Sequence, residues 1–148
     1  MIWKPNVTVA AIIEQNGRFL LVEEHTSQGL LFNQPAGHLE ANESLLAAVA
    51  RETLEESAYE FEPQSLIGIY RWHSPASDTT YLRFAFTGRI LAHHPERVLD
   101  DGIVRVVWMK PEEIRATQAR HRSPLILRCV EDYLAGKRYP LDLITHYD

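Results

Sequence analysis

The hydrophobic pattern of the first forty residues predicts two strands followed by a loop. Residues 7–13 are apolar and largely β-branched, and an extended apolar pattern resumes over residues 18–23. Asn16-Gly17 between them is a strong signal for a tight hairpin turn. We therefore predict that the two segments pair as antiparallel strands and that a polar loop covers residues 25–36.

A helical period replaces this pattern over residues 43–57. Leu45, Leu46, Val49 and Ala50 fall within one arc of about 140° when each residue advances by about 100°. An apolar arc of this width is typical of a helix that packs one side against a core. The pattern predicts a helix from near Glu43 to Ser57.

The remainder of the chain alternates between strand-like and helix-like segments. Strands are predicted at residues 65–72, 79–90 and 103–109, with a turn at 74–78, a loop at 92–102, a helix from Pro111 and a last helix over 123–135 that ends at Gly136. Antiparallel strands interleaved with a central and a C-terminal helix predict an α/β (α+β) domain whose mixed sheet is covered on both faces.

Composition limits the classes of protein to which the chain can belong. Its 148 residues, 45% hydrophobic and 24% charged, suit a single globular domain over residues 1–148. The net charge is -5 and Lys and Arg are scattered, so we expect no nucleic-acid partner. With one cysteine, no leader pattern and no apolar run near 18 residues, we expect no membrane partner and a cytoplasmic location. No heptad or long exposed apolar segment indicates an oligomeric state.

Three carboxylates in the second half of the predicted helix form a candidate metal site. Glu52, Glu55 and Glu56 project from one arc of about 100°. This arc borders the apolar stripe, whereas a merely solvated acidic face would lie opposite to it. We therefore expect the acids to face a cleft beside the core. Oxygen donors without Cys or His at metal spacing favour Mg²⁺ or Mn²⁺ over zinc.

The spacing around these acids resembles a known motif. Glycine, five residues, glutamate, seven residues and then Arg-Glu-x-x-Glu-Glu is the pattern of a Nudix box. The six positions are Gly37, Glu43, Arg51, Glu52, Glu55 and Glu56. Two residues depart from the pattern, since Thr53 replaces an aliphatic residue and Ala58 replaces the glycine that closes the helix. Alanine reaches the left-handed conformation of a helix end at a cost of about 1 kcal/mol.

The resemblance implies a three-layer α/β/α sandwich and a role for each box residue. It places a divalent cation on the backbone carbonyl of Gly37 and on the side chains of Glu52, Glu55 and Glu56. We favour Glu52 as the base that takes a proton from water, although a carboxylate cluster does not by itself separate ligand from base. Arg51 and Glu43 would fix the orientation of these ligands.

Family members commonly add one acid from a loop outside the box. Asp101 is our first choice, Asp100 the second, and Glu96 lies in the same stretch. The alternative is a polar surface loop without a role in chemistry.

Segments outside the box indicate which reaction the protein is expected to catalyse. Residues 33–40, 122–125 and 133–141 are similar to a bacterial phosphatase of the Nudix family. That resemblance implies release of phosphate from nucleoside tri- and diphosphates and from a pyrimidine pyrophosphate of thiamine metabolism. The alternatives are a pyrophosphohydrolase that cleaves an internal bond, as in ADP-ribose, dinucleoside polyphosphates or damaged nucleoside triphosphates, and a sensor domain that binds nucleotides without hydrolysis. The physiological substrate is not readable from the sequence.

Several residues are candidates for contact with a small phosphorylated substrate. Arg122 ranks first because it precedes a predicted helix N-terminus, where anions are favoured. Glu40 and His38 precede the box helix and are candidates for phosphate or metal contact, and Tyr139 is a candidate for ring stacking. Further candidates are Lys137 and Arg138 for phosphate and Trp3, Trp72 and His73 for a ring.

Overall fold

The computed structural model describes residues 1–148 and contains eight strands and three α-helices. The strands β1 to β8 are Asn6–Ala11, Glu14–Gln15, Arg18–Thr26, Gly29–Asn33, Ala36–His38, Tyr59–Ser74, Thr79–His93 and Ile103–Met109. The helices α1 to α3 are Leu45–Ser57, Pro111–Ala116 and Leu125–Leu134. Two 3₁₀ turns, at Gln118–Arg120 and Leu141–Leu143, complete the regular elements. These helices are too short and too polar to cross a membrane.

The strands form two four-stranded sheets. The first has the order β5-β1-β7-β6, with β1 and β7 parallel and the other neighbours antiparallel. In the second sheet, β3 is the central strand and pairs with β2, β4 and β8. All three pairings are antiparallel. The predicted α/β (α+β) class with a mixed sheet is confirmed.

The helices cover both sides of these sheets. On β3, Leu20 belongs to the apolar cluster that contains Ala48 and Val49 of α1, whereas Leu21 belongs to the cluster that contains Ile126 of α3. Successive residues of a strand point to opposite faces, so this division follows from the pleat. With α1 on one side and α2 and α3 on the other, the expected three-layer α/β/α sandwich is confirmed.

The predicted pairing between the first two strands is wrong. Asn16-Gly17 does form a hairpin turn, with φ angles of 53° and 76°, but it joins β3 to the two-residue β2. β1 pairs instead with β5 and β7 in the other sheet. Local turn chemistry specified the hairpin, whereas the neighbours of β1 are distant segments that a local pattern does not reveal.

Strand structure also extends into segments predicted as irregular. β4 lies within the expected loop at residues 25–36, β5 begins at the last residue of that loop, and β6 begins six residues earlier than expected, at Tyr59. The added part of β6 contains Pro63, which the ladder accommodates with a register shift between Pro63 and Ser65. Partners across the sheet, and not local propensity, order these residues.

Helix α1 has the boundaries that its cap residues dictate. The hydroxyl of Ser44 accepts a hydrogen bond of 3.0 Å from the N–H of Ala47, which starts the helix. The helix ends at Ala58, which has a left-handed conformation with φ 64° and donates its N–H to the carbonyl of Leu54 at 3.0 Å. The departure from glycine at this position therefore falls where backbone strain was expected.

Candidate active site

Helix α1 packs its acidic side directly against β5. A Cβ atom added to Gly37 would overlap the carboxylate of Glu52, so any other residue at this position would displace that carboxylate. Glu52 is buried, and its pKa is raised because burial disfavours the charged form. Gly37 and Glu52 thus form one closely fitted unit.

Arg51 connects four residues of this region through its guanidinium group. It donates to both carboxylate oxygens of Glu43, at 3.0 and 2.7 Å, and to the backbone carbonyl of His38 at 3.0 Å. It also donates to Oε1 of Glu52 at 2.7 Å and to Oε2 of Glu55 at 3.2 Å. Its hydrogen bonds lower the pKa of Glu43. Arg51 therefore fixes the helix acids relative to the loop before the helix.

A loop acid joins the helix acids, and it is the second choice of the sequence analysis. One carboxylate oxygen each from Glu52, Glu55 and Asp100 lies within 4.8 Å of the others. The N–H of Asp100 donates to the carbonyl of Glu55 at 3.0 Å, which anchors the loop to the end of α1. Asp101 is exposed and outside this cluster. Glu96 is also exposed, 3.9 Å from His94.

Glu56 lies on the other side of Glu52 and faces a cavity. Its Oε1 accepts a hydrogen bond of 2.9 Å from the N–H of Ala36, and no cation pairs with it. Burial raises the pKa of Glu56 to about 8, the hydrogen bond from Ala36 opposes this shift, and Glu24 and Glu52 add to it by repulsion. Glu52 lines the same cavity and also belongs to the three-carboxylate cluster, so it connects the two groups of acids.

The chemistry of these donors fits a divalent cation. All are carboxylate or backbone oxygens, the ligands that Mg²⁺ and Mn²⁺ prefer. The pKa values of Glu52, Glu56 and Asp100 are all raised, chiefly by burial. An acid cluster whose charge is not balanced by the protein is stabilised by a bound cation.

The cavity beside the acids has a volume of about 550 Å³ and is mostly polar. Its walls come from β4, β6, β7 and the segment before α3. Trp72 and Tyr81 on neighbouring strands stack with a centroid separation of 5.9 Å and an interplanar angle of 18°. A small phosphorylated compound has room to extend from the carboxylates along this wall.

Four of the predicted substrate residues line the cavity: Arg122, Glu40, His38 and Trp72. Arg122 does so while its Nη1 donates to Oε1 of Glu24 at 2.8 Å. Glu40 lies at the cavity 3.5 Å from Nη1 of Arg51, and His38 is a further wall residue. Arg122 therefore has a carboxylate partner within the protein.

The prediction of Tyr139 as a substrate residue is not supported by its position. Its backbone pairs with that of Leu66 through hydrogen bonds of 2.8 and 2.9 Å, and its side chain does not line the cavity. Lys137 lies 3.3 Å from Asp132, and Arg138 covers the ring of Tyr133. The chain after Gly136 crosses to β6, so closeness in sequence to α3 did not predict closeness to the site.

The sequence analysis did not single out Arg83 as a cavity residue. It is on β7, is only 6% exposed, and lines the wall between Asn33 and Tyr81. The available signal was a cation in the middle of a strand of apolar and aromatic residues, where a charge is costly unless it has a role.

Comparisons with known proteins agree with the motif. The model of the NUDIX domain matches residues 3–129. The chain is 41% identical over 147 residues to Phosphatase NudJ of Escherichia coli K12, covering 99% of this chain and 94% of that protein. It is similar to a NUDIX hydrolase from Nitrosomonas europaea, with a TM-score of 0.95 and 54% identity over 97% of this chain and 98% of the other. The E. coli ORF135 protein shares 26% identity with a TM-score of 0.68, over 89% of this chain and 90% of its own.

Proposed function

The chain belongs to the Nudix family and is a hydrolase of phosphoanhydride bonds, and we propose that it is a Mg²⁺-dependent phosphatase of nucleoside tri- and diphosphates and small organic pyrophosphates. The observation that carries this proposal is the arrangement of the helix carboxylates: Glu52 and Glu56 line a polar cavity, and Glu52 also forms a cluster with Glu55 and Asp100. The similarity to Phosphatase NudJ supports phosphate as the released product. A pyrimidine pyrophosphate of the thiamine pathway type is part of the proposed range, and a cytoplasmic location remains our expectation.

The cation would be held by Glu52, Glu55 and Asp100, with Glu56 and the carbonyl of Gly37 on the adjacent side. A divalent cation bound there supplies a Lewis acid beside the phosphoanhydride. Asp100 replaces Asp101 as the proposed loop acid because its carboxylate meets those of the helix.

Proton transfer is assigned to Glu52. Arg51 donates to Oε1 of Glu52 and thereby fixes this carboxylate. The side chain of Glu52 also borders the cavity from which water and substrate would approach. A base must lie within hydrogen-bond reach of the water that it deprotonates. Arg51 and Glu43 act by positioning, because their hydrogen bonds are to protein groups.

Two other functions are alternatives to this proposal. A pyrophosphohydrolase would use the same carboxylates but cleave an internal bond of ADP-ribose, a dinucleoside polyphosphate or a damaged nucleoside triphosphate. A sensor would bind nucleotides without product, but the chain retains every carboxylate of the box, which favours a metal-dependent reaction.

A product-resolved assay with Mg²⁺ tests the proposal. The purified protein is supplied in turn with nucleoside tri- and diphosphates, a thiamine-type pyrimidine pyrophosphate and ADP-ribose, and Mn²⁺ replaces Mg²⁺ in a parallel series. Orthophosphate from the first three groups supports the phosphatase. Pyrophosphate with a nucleoside monophosphate, or AMP from ADP-ribose, supports internal cleavage. Tight nucleotide binding without product supports the sensor.

A further inference from the structure

Arg83 is a buried cation without a carboxylate partner. Its guanidinium donates to Oε1 of Gln34 at 2.9 Å and to Oδ1 of Asn33 at 3.0 Å, both neutral amides. No carboxylate oxygen lies within 4.0 Å of it. Arg122, the other arginine of the cavity, is paired with Glu24. The two arginines therefore differ in whether the protein balances their charge.

On the core side of Arg83 no carboxylate is paired with it, because Asp132, the acid near Cys129, pairs with Arg128 and Lys137. The neighbour there is Cys129, which is fully buried. Burial raises the pKa of this thiol, and the nearby Arg83 only opposes the shift, so the thiol is neutral at physiological pH. Burying a cation without an anion is costly. The side of Arg83 that faces the cavity is where an anion from outside would restore the balance.

The guanidinium is held in a fixed orientation. Gln34 is itself 1% exposed and donates its Nε2 to the backbone carbonyl of Ile126 at 2.9 Å, so α3 fixes the amide that contacts Arg83. Two of the five N–H groups of an arginine are used in this way. The remaining donors form a planar group that suits the oxygens of a phosphate.

The position of Arg83 fits the second phosphate of a substrate held at the acids. Along the first sheet, His38 pairs with Thr8 and Thr8 with Arg83, so their backbones are two strand spacings apart, about 10 Å. The guanidinium then extends toward Asn33, and Ala36, three residues further, donates to Glu56. Because Arg83, Glu52 and Glu56 line one cavity, a diphosphate with one phosphate at the carboxylates can extend its other phosphate toward Arg83.

We propose that Arg83 binds the phosphate that remains on the product, in a subsite distinct from the carboxylate cluster. The inference rests on the proposed function, because it assumes that the terminal phosphate lies at the carboxylates. Arg83 is in this view a specificity residue for substrates that carry at least two linked phosphates, and Asn33 and Gln34 are positioning residues for it.

The test is binding of methylenediphosphonate, a ring-free diphosphate analogue that is not hydrolysed, in the presence of Mg²⁺. We compare the wild type, Arg83→Gln and the control Arg89→Gln by calorimetry. Arg89 pairs with the exposed Glu62 and does not line the cavity. We expect Arg83→Gln to bind about 10- to 100-fold more weakly, because charge-assisted hydrogen bonds are lost, and Arg89→Gln to bind as the wild type does.

The remaining outcomes decide against the proposal. Wild-type affinity in Arg83→Gln, or no binding by the wild type, overturns it. A loss seen only with an α,β-methylene nucleoside diphosphate, and not with methylenediphosphonate, overturns it in favour of a contact to the organic group. If Arg83→Gln does not fold, Arg83→Lys keeps the charge but not the planar group of donors, and undiminished affinity in that variant overturns the proposal.

Failure of the proposed function is distinguishable from failure of the subsite. Arg83-dependent binding of methylenediphosphonate by a protein that releases no orthophosphate from any substrate retains the subsite and rejects the phosphatase. Release of orthophosphate with unchanged kcat and KM in Arg83→Gln retains the phosphatase and rejects the subsite.

Discussion

Glu23 on β3 and Glu52 on α1 are 5% and 8% exposed, yet their pKa values shift in opposite directions. Hydrogen bonds from Arg105 and Arg120 lower the pKa of Glu23. Burial raises the pKa of Glu52. Arg51 donates one hydrogen bond to Glu52 and uses its other donors for neighbouring groups. The protein balances the first charge by itself and leaves the second region with more acids than cations.

The difference distinguishes the structural ion pairs of Glu23 from the region around Glu52, where a bound cation would balance the excess of acids. Arg51 divides its hydrogen bonds among Glu43, Glu52, Glu55 and a carbonyl, whereas Glu23 is the only carboxylate partner of two arginines. Glu56 has no cation at all. Imbalance of charge, and not burial alone, therefore marks the region where a divalent cation and a phosphate would bind.

The largest expected effect is on turnover at Glu56. Glu56→Gln keeps the shape of the side chain but removes a negative charge, so we expect kcat to fall by about 100-fold or more. The fold should survive, because the amide oxygen of Gln can still accept from Ala36. Turnover in saturating Mg²⁺ and thermal unfolding measure the two properties. Unchanged turnover would exclude Glu56 from the site.

A matched pair in the loop tests which acid belongs to the imbalanced region. We expect Asp100→Asn to lower kcat about 10- to 100-fold, because its carboxylate meets those of Glu52 and Glu55, and Asp101→Asn to change it less than twofold. Steady-state kinetics with Mg²⁺ titration measure both. A larger loss in Asp101→Asn than in Asp100→Asn would restore the first choice of the sequence analysis.

The pH dependence of stability should have opposite signs in the two regions. Glu56 has a folded pKa of about 8, above its unfolded value, so the folded metal-free protein holds a proton that the unfolded chain has lost. The contribution of Glu56 to the free energy of unfolding is greatest below about pH 4.5, falls as pH rises toward 8, and does not change further above that pH. The pKa of Glu23 is lowered in the folded protein, so Glu23 stabilises the fold at pH values above its unfolded pKa. This stabilisation is lost as pH falls through the folded pKa.

Metal-free unfolding curves measure this contrast, between pH 5 and 9 for Glu56 and below about pH 5 for Glu23. Relative to the wild type, the free energy of unfolding of Glu56→Gln should rise by on the order of a few kcal/mol as pH approaches 8. Added Mg²⁺ should reduce this difference in stability between the two proteins. A difference between the two proteins that does not vary with pH would contradict the assignment of the raised pKa to Glu56.

Glu23 provides the complementary variant. Glu23→Gln breaks the pairs with Arg105 and Arg120, and we expect a loss of about 1 to 3 kcal/mol because hydrogen bonds to a charged group are removed. Both arginines are partly exposed, so neither is left as a buried charge. Denaturant unfolding measures the loss. The specific activity of the folded protein should stay at the wild-type value, and a large drop in kcat would connect Glu23 to the site.

The smallest expected effect involves no charge. Ala58→Gly removes the cost of a left-handed alanine at the end of α1 and should stabilise the protein by about 0.5 to 1 kcal/mol, or about 2 to 4 °C in Tm. Turnover should be unchanged if the position of Glu55 and Glu56 does not depend on that strain. Lower stability in this variant would show that the Cβ of Ala58, which is 3% exposed, contributes more by packing than it costs in strain.

The parts of the fold that were predictable are those with local signals. The apolar arc of α1 and the box position that Ala58 occupies predicted a helix whose ends agree within about two residues with the structure. Asn16-Gly17 gave a turn. The partners of β1 were not predictable, because β5 and β7 come from distant parts of the chain.

The sequence by itself determined the chemistry of this protein. The spacing of Arg51 and the three helix glutamates specifies one acidic helix side that follows the glycine loop at Gly37, because helical geometry converts spacing into direction. Only the tertiary structure decided which distant groups meet that side: Asp100 and not Asp101, Arg83 in place of Tyr139, and a carboxylate partner for Arg122 but none for Arg83. Long-range pairing fixes these contacts, and charge balance depends on them because Coulomb energies fall with distance and rise with burial.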